Sequence, residues 1–275
     1  MKLQFTNGYR PHFDLISRIL QFLLSQKGRN KISRQEISGT LGIPERQVEN
    51  LISMMTGFGL VEPRLSTLTL LGETVIKFDP FFEKLETLWM IHYLVSSNPK
   101  YVVWYRVIHL VLPAQDQFTV DQVSDLYFSD LAIHFSLKTI QEKLPKEVGA
   151  VFAAYTRTEL SRLEILKADG TGNFVKSTPV NVPNLAFLFC LLHFRDKYYR
   201  GSSALNIEEI CRAENGPGKV LLLSDHQVRS QLDSLHHADL IRLEKLANLD
   251  QVRLADAITS ELVLHKIYGG MNNAY

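Results

Sequence analysis

Residues 79–94 read DPFFEKLETLWMIHYL and bring together side chains of types that could do chemistry. Asp79, Glu83 and Glu86 are spaced at i, i+4 and i+7, so on one helix they would share a face. Carboxylates arranged in this way could hold a divalent ion such as Mg²⁺ or Mn²⁺ for phosphodiester cleavage. His92 or His109 would then serve as the base. Asp79, Glu83 and His92 are therefore candidate catalytic residues.

The same carboxylates also fit a structural interpretation. Asp79 precedes Pro80, a pair that predicts the start of a helix, because the carboxylate caps free N–H groups and proline needs no donor. Glu83 and Glu86 would then lie near the helix N-terminus, where negative charge is stabilised. Capping accounts for all three residues without a metal ion and is the favoured interpretation. The sequence thus defines no metal site, and Mg²⁺ or Mn²⁺ stays an open expectation.

Residues 33–78 predict the elements of a winged helix. Ser33 is a predicted N-cap, Gly42 a helix end, and Pro44 the first position of a second helix. The second helix carries a buried stripe at helical spacing, consisting of Val48, Leu51, Ile52 and Met55. Two short extended runs follow around Pro63. This pattern predicts a helix-turn-helix followed by a small hairpin.

The opposite face of the second predicted helix consists of residue types that read DNA grooves, namely Arg46, Gln47, Asn50 and Ser53. Contacts to phosphate are predicted for Arg34, Arg64 and Thr67. Residues 1–50 contain eight Lys or Arg against four Asp or Glu. The predicted partner is therefore double-stranded DNA, although Glu45 and Glu49 would repel phosphate and many winged helices only dock proteins.

The C-terminal region repeats the same order. HQVRSQLDSL parallels RQVENLISMM, with Val228, Leu232 and Leu235 as the buried stripe and His226 and Arg229 as outward DNA contacts. The predicted fold class is mainly α with small β-hairpins, in which two winged helices flank a helical body. The predicted domains are residues 1–79, 80–200 and 201–275.

Several function classes are not supported. The apolar runs are far shorter than the roughly 20 residues that span a bilayer, and the N-terminus lacks the apolar core of a secretory signal, so a cytoplasmic protein is expected. Cys190 and Cys211 have no metal-ligand spacing and are expected to be buried free thiols. The sequence has no GxSxG elbow, GxGxxG loop or HExxH motif.

The segment TLLGETVIKFDPFFEKLETLWMIHYLVSSNPKYVVWYRVIHLV resembles the most recognisable part of a bacterial family known only as a domain of unknown function. The resemblance depends on Leu71-Gly72, Asp79-Pro80, Thr87-Leu88-Trp89, His92-Tyr93 and Trp104-Tyr105, and it extends more weakly over nearly the whole chain. That family is typically encoded beside phosphoadenosine-phosphosulfate-reductase-like and cysteine-desulfurase genes in phage-defence islands. The resemblance implies a role in DNA phosphorothioation as the DNA-binding, nicking component, with those two enzymes as partners.

The N-terminus departs from that family. The usual opening is Gly-His-Glu-Thr-Phe, whereas NGYRPHFDLISRIL retains Gly8, His12, Phe13 and Arg18 in a different spacing, and His109 stands where an Asn is usual. His12 is a further catalytic candidate, with a structural histidine as the alternative. Two other functions stay open: a winged-helix transcription regulator whose helical body forms a homodimer, and a non-enzymatic adaptor that docks the sulfur-transfer enzyme.

Overall fold

The structure is a computed structural model that describes residues 1–29, 32–63, 67–179, 181–246 and 249–269. The fold is mainly helical, with two small three-stranded antiparallel sheets. This confirms the predicted mainly α class. No helix in the described ranges is long and apolar enough to cross a membrane.

The chain divides into two compact units. The first unit consists of Met1–Lys84 and Leu94–Val180, and the second consists of Leu85–Tyr93 and Asn181–Tyr275. The α-helices of the first unit are α1 (Phe13–Ser25), α2 (Arg34–Leu41), α3 (Glu45–Gly57), α4 (Leu70–Phe78), α6 (Val102–Arg106), α7 (Leu112–Ala114), α8 (Val120–Tyr127) and α9 (Leu137–Arg157). Helix α5 (Leu85–Ser96) begins in the second unit and ends in the first.

A π-helical turn (Val107–Val111) and 3-10 helices (Ser129–Ile133 and Glu159–Leu163) complete the helical part of the first unit. Its sheet has the order β1-β3-β2, formed by β1 (Gln117–Phe118), β2 (Leu166–Ala168) and β3 (Phe174–Lys176). Strands β2 and β3 are consecutive in the chain and pair antiparallel as a hairpin.

The second unit contains the C-terminal helix-turn-helix. Its helices are α10 (Asn184–Tyr198), α11 (Ile207–Arg212), α12 (Pro217–Val220), α13 (Asp225–His237) and α14 (Ser260–Tyr268), and its strands are β4 (Ala204–Asn206), β5 (Arg242–Leu246) and β6 (Leu249–Arg253). The sheet order is β4-β6-β5. Helix α13 begins with a capping box formed by Ser224 and Gln227, and its Val228, Leu232 and Leu235 are buried as the stripe predicts.

The local signals in the first helix-turn-helix are confirmed. The Ser33 hydroxyl accepts the N–H of Glu36, and Gly42 ends α2 with a φ of 66°. Pro44 is the N-cap of α3 rather than its first residue. In the hairpin region Val61 forms an antiparallel bridge with Leu68, and Arg64 lies outside the described residues.

Helix α5 begins at Leu85, so the prediction of a helix start at Pro80 is wrong. Phe82 has a φ of 56°, which no right-handed helix accommodates. Its ring is fully buried, and the ring centroids of Phe82 and Phe13 are 4.8 Å apart. Burial of this aromatic ring therefore keeps residues 80–84 out of the helix, and Asp79 is the C-cap of α4.

Candidate nucleic-acid interface

One face of α3 is covered by the N-terminal segment of the chain, which we define as residues 1–12. Lys2 Nζ donates to Ser53 Oγ at 2.6 Å, and the amide of Asn7 donates to Oδ1 of Asn50. A Cβ at Gly57 would overlap the Phe5 ring. The expectation that Asn50 and Ser53 face outward is therefore wrong, because both contact this segment.

The N-terminal segment turns sharply at Asn7 and Gly8. Both residues have a positive φ, 53° and 79°, and the N–H of Tyr9 donates to the Thr6 carbonyl oxygen at 3.1 Å. Asn-Gly is the dipeptide that tolerates positive φ at both central positions of a tight turn. A Cβ on Gly8 would lie 3.0 Å from Cβ of Lys146, so the close approach to α9 also disfavours a larger residue at this position.

The carboxylate of Glu147 on α9 anchors this turn. Its Oε2 accepts the N–H of Thr6 at 2.9 Å, the Thr6 hydroxyl at 2.9 Å and the N–H of Phe5 at 3.2 Å, while Oε1 accepts the N–H of Gly8 at 3.0 Å. Glu147 is only 1% exposed, and burial raises the pKa of its carboxyl group above the usual value. Sequence reasoning missed Glu147, because nothing in α9 indicates a partner about 140 residues away.

A pocket of about 310 Å³ lies where the N-terminal segment meets the start of α3. Its lining consists of Tyr9, Arg10, His12, Pro44, Arg46, Gln47, Asn50, Leu51 and Met54. The structure thus brings the catalytic candidate His12 together with three of the predicted groove-reading residues. The Asn-Gly dipeptide is a sequence signal for the turn before Tyr9 and Arg10, whereas nothing in the sequence places that turn beside α3.

The pocket is electrostatically suited to an anion. Its lining contains two arginines and a histidine but no carboxylate. Arg10 and Arg46 are exposed, and neither forms an ion pair with any described residue. A guanidinium without a carboxylate partner is free to bind phosphate through two parallel hydrogen bonds.

The remaining predicted contacts of the first unit lie elsewhere. Arg34 is paired with Glu49, with 2.7 Å between Nη1 and Oε1, so its charge is compensated on the surface. The carbonyl oxygen of Thr67 accepts the N–H of Glu62 at 2.8 Å, which places Thr67 in the hairpin region. Neither residue lines the pocket.

In the second unit, arginines near α13 are paired with carboxylates. Arg229 Nη2 lies 2.5 Å from Oδ2 of Asp250 on β6, and this partner raises the pKa of the guanidinium. Arg212 is paired with Asp225, and Arg253 with Glu244, each at 2.7 Å. His226 and Arg229 line a shallow groove of about 630 Å³ on α13. This surface offers little net positive charge to a phosphate backbone.

The carboxylates of the 79–94 segment do not share a helical face. Asp79 is 4% exposed, and its carboxylate accepts the N–H of Glu83 at 2.7 Å and the N–H of Lys84 at 3.1 Å. Glu83 precedes α5, whereas Glu86 lies in the first turn of α5. The described residues contain no group of three His, Cys, Asp or Glu side chains that could hold a metal ion. Asp79, Glu83 and Glu86 therefore do not form the three-carboxylate metal site that their spacing suggested.

The two histidines proposed as bases are buried. His92 has no exposed surface, and its Nε2 lies 2.9 Å from the carbonyl oxygen of Val220. His109 lies in the π-helical turn, 4% exposed, with Nε2 3.0 Å from the carbonyl oxygen of Ser96. Such packing is typical of structural histidines, because a buried ring cannot reach a DNA phosphate without rearrangement of the protein.

The model of the family described as "Protein of unknown function (DUF4007)" matches residues 22–268. The chain belongs to the DUF4007 family. The matched region contains the α3 side of the pocket, whereas Tyr9, Arg10 and His12 precede it. No curated protein matches this DUF4007 chain.

Two solved structures are similar to this DUF4007 protein. One is a crystal structure of magnesium ion-bound SspB, with a TM-score of 0.76 and 13% sequence identity. The other is a crystal structure of SspB, with a TM-score of 0.76 and 14% identity. Each alignment covers 96% of this chain and 87% of the SspB chain. At this identity the similarity shows a shared fold.

Proposed function

We propose that this protein binds DNA through the pocket between the N-terminal segment and α3. The observation that carries the proposal is the convergence of Arg10, His12 and Arg46 around a lining without a carboxylate. Phosphate contacts dominate the affinity of most DNA-binding proteins, and two uncompensated arginines at one pocket supply them. In this proposal α2 and α3 act as a helix-turn-helix in which Arg46, in the first turn of α3, contacts phosphate.

We also propose that the protein works in DNA phosphorothioation and phage defence. SspB is a component of such a system, and the shared fold supports an equivalent role here. The partners in this role are the phosphoadenosine-phosphosulfate-reductase-like and cysteine-desulfurase proteins named in the sequence analysis. The chemistry of the proposed role is nicking of the strand that receives sulfur.

Among the catalytic candidates, His12 has the best placement for nicking. It lines the pocket and is half-buried, whereas Asp79 and Glu83 do not line it and His92 is fully buried. An imidazole beside a phosphate held by Arg46 can take a proton from the attacking group or give one to the leaving oxygen. His12 is therefore the residue to which we assign proton transfer.

The DNA-binding proposal is tested with the purified full chain and duplex DNA at low salt. Arg46→Gln should weaken binding several-fold and reduce the magnitude of the slope of log K against log [salt] by about 1. Arg157→Gln is the matched control, because Arg157 is also exposed and lies outside the pocket. Failure of the unaltered protein to bind duplex DNA at low salt would overturn the proposal.

Nicking is tested on supercoiled plasmid with Mg²⁺ or Mn²⁺ in the buffer and an EDTA control. Open circles should form with the unaltered protein and with His134→Ala, an exposed histidine outside the pocket, and not with His12→Ala. Binding without nicking by the unaltered protein would leave a DNA-recognition subunit.

A second candidate function is supported by the ion pairs of the second unit. The order β4-α11-α12-α13-β5-β6, with β6 in the centre of the sheet, supports the winged-helix interpretation of this module. Its arginines at positions 212, 229 and 253 are already paired with carboxylates. We propose that this module docks the sulfur-transfer enzyme rather than DNA. Co-purification with that enzyme should weaken when the exposed His226 is changed to Glu, and an unchanged yield would contradict docking at this groove.

A further inference from the structure

The pocket between the N-terminal segment and α3 is shaped for one nucleotide rather than for a duplex groove. A helix that reads the major groove presents several consecutive turns of one face to base edges. Here Asn7, Lys2 and Phe5 cover that face of α3 at positions 50, 53 and 57. Of the four residues expected to read a groove, Arg46 is exposed and Gln47 is half-buried, and both line the pocket.

The pocket combines an apolar floor with a polar rim. The apolar lining includes Pro44 and the buried Leu51 and Met54, while Arg10 and Arg46 are exposed. Its volume of about 310 Å³ lies at the lower end of the range for small-ligand pockets. Such a pocket can hold a single base with its sugar and has no room for a base pair within its duplex.

An exposed aromatic ring stands at this pocket. Tyr9 is 55% exposed although it follows a tightly anchored turn, so its position is fixed while its ring stays available. Exposed aromatic rings beside arginines are the usual platform on which unstacked bases bind. Among the lining residues, Tyr9 is the one ring of this kind that lies open to solvent.

Two side-chain amides also line the pocket. Asn50 is only 5% exposed, and its Oδ1 accepts from Asn7, which leaves its Nδ2 as a donor. Gln47 is half-buried one turn earlier on α3. Amide groups of Asn and Gln pair with the polar edges of bases, so both residues can contact a base that has entered the pocket.

We propose that the pocket binds one unstacked nucleotide of DNA, with the base against Tyr9 and the apolar floor and the adjoining phosphates on Arg10 and Arg46. This inference rests on the proposed DNA-binding function and names its substrate as DNA with an extruded or unpaired nucleotide. Extrusion of a nucleotide requires energy to break stacking, and DNA that already contains an unpaired nucleotide avoids that cost. The protein should therefore prefer such DNA over a fully paired duplex.

The test compares three fluorescently labelled DNAs by anisotropy with the full chain: a matched duplex, the same duplex with one unpaired nucleotide, and the single strand. The duplex with the unpaired nucleotide should bind about tenfold more tightly than the matched duplex. Tyr9→Ala should remove this preference, and Tyr9→Phe should retain it because the stacking ring is kept. Phe81→Ala is the control for loss of an exposed ring, since Phe81 is 72% exposed and does not line the pocket.

The outcomes separate this inference from the proposed function. Equal affinity for all three DNAs, or a Tyr9→Ala effect that is equal on all three, overturns the nucleotide pocket and leaves DNA binding intact. No binding to any DNA at low salt overturns both. A free deoxyribonucleoside monophosphate, added as a competitor, should displace the duplex with the unpaired nucleotide from the unaltered protein. It should displace the same DNA less well from Tyr9→Ala. Competition that is unchanged in Tyr9→Ala counts against the inference. Thermal unfolding of each variant shows that the fold is retained.

Discussion

At the scale of single residues, Glu147 controls the site although it does not line it. Its buried carboxylate accepts hydrogen bonds from three backbone N–H groups and one hydroxyl of residues 5–8. Bonds of this kind to a charged acceptor are roughly twice as strong as neutral ones. They hold the turn that carries Tyr9, Arg10 and His12 to the pocket, so we class Glu147 as a positioning residue.

Glu147→Gln should destabilise the protein and loosen the N-terminal segment. The substituted amide keeps one acceptor oxygen and turns an NH₂ group toward backbone donors, which leaves buried N–H groups without partners. We expect the free energy of unfolding to fall by about 1–3 kcal/mol. Urea denaturation measures the loss, and proteolysis within residues 1–12 should become faster. Unchanged stability and protection would contradict the positioning role.

The stability of the unaltered protein should also depend on pH through Glu147. Burial raises the folded-state pKa of this carboxyl group above the unfolded value of 4.5, so the folded state binds the proton more tightly. The stabilising contribution of protonated Glu147 is fully present below pH 4.5 and is lost as pH rises through the raised folded-state pKa. Relative to Glu147→Gln, the unaltered protein should therefore gain stability as pH falls from 7 toward 4.5. If urea denaturation shows that the unaltered protein loses stability relative to Glu147→Gln as pH falls across this range, the prediction is wrong.

At the scale of elements, the approach to α5 shows how packing changes a helix boundary. Asp79 and Pro80 are residues that begin helices, yet burial of Phe82 with a positive φ delays α5 to Leu85. The carboxylate of Asp79 still caps backbone N–H groups, now those of the connecting segment. Asp79 therefore caps backbone N–H groups as predicted. It does so in the segment before α5 and not at a helix that starts at Pro80.

Asp79→Ala should cost stability, whereas Asp79→Asn should cost less. Alanine removes the acceptors of two backbone N–H groups, for which we expect a loss of about 1–3 kcal/mol. Asparagine keeps one acceptor oxygen and should lose roughly half as much. Thermal unfolding of both variants measures the difference. Equal stability of all three proteins would contradict the capping role of Asp79.

The ion pair between α13 and β6 leads to a prediction about DNA affinity. Asp250 already compensates the charge of Arg229, so Arg229→Gln should leave duplex affinity within about twofold, since a paired arginine adds little to phosphate binding. Arg46→Gln provides the comparison, with a several-fold loss expected. Equal losses for the two variants in the same anisotropy titration would instead assign DNA contact to α13.

At the scale of the whole molecule, the second unit is formed by two segments that are far apart in the sequence. Residues 85–93 belong to the unit formed mainly by residues 181–275. His92 contacts the carbonyl oxygen of Val220 there, and the hydroxyl of Tyr93 donates to the carbonyl oxygen of Asn215 at 3.0 Å. The hydroxyls of Thr87 and Tyr268 lie 2.5 Å apart. The second unit therefore includes a helix segment from far upstream.

A C-terminal fragment of residues 181–275 should not fold stably by itself. It lacks the apolar surface and the hydrogen bonds of residues 85–93, which include the fully buried Trp89 and His92. Removal of several fully buried side chains costs more than the usual stability of a domain of this size. Circular dichroism should show a broad, low-temperature transition. Cooperative unfolding at the temperature of the full chain would contradict the two-unit organisation.

The sequence by itself determined features that depend on neighbouring residues. The Ser33 cap, the Gly42 helix end, the buried stripe of α13 and the mainly helical class follow from propensity, capping and periodicity, which act over a few residues. The resemblance to a family of unknown function also came from short motifs. The three-domain division and the DNA contacts of His226 and Thr67 stay predictions.

Only the tertiary structure decided which of these residues come together. The cover over Asn50 and Ser53, the anchoring by Glu147 and the pocket that joins His12 to Arg46 all arise between segments 34 to about 140 residues apart in the chain. Long-range pairing is set by burial and by the need to satisfy buried polar groups, and neither leaves a period in the sequence. The same packing turned an apparent groove-reading face into the wall of a pocket.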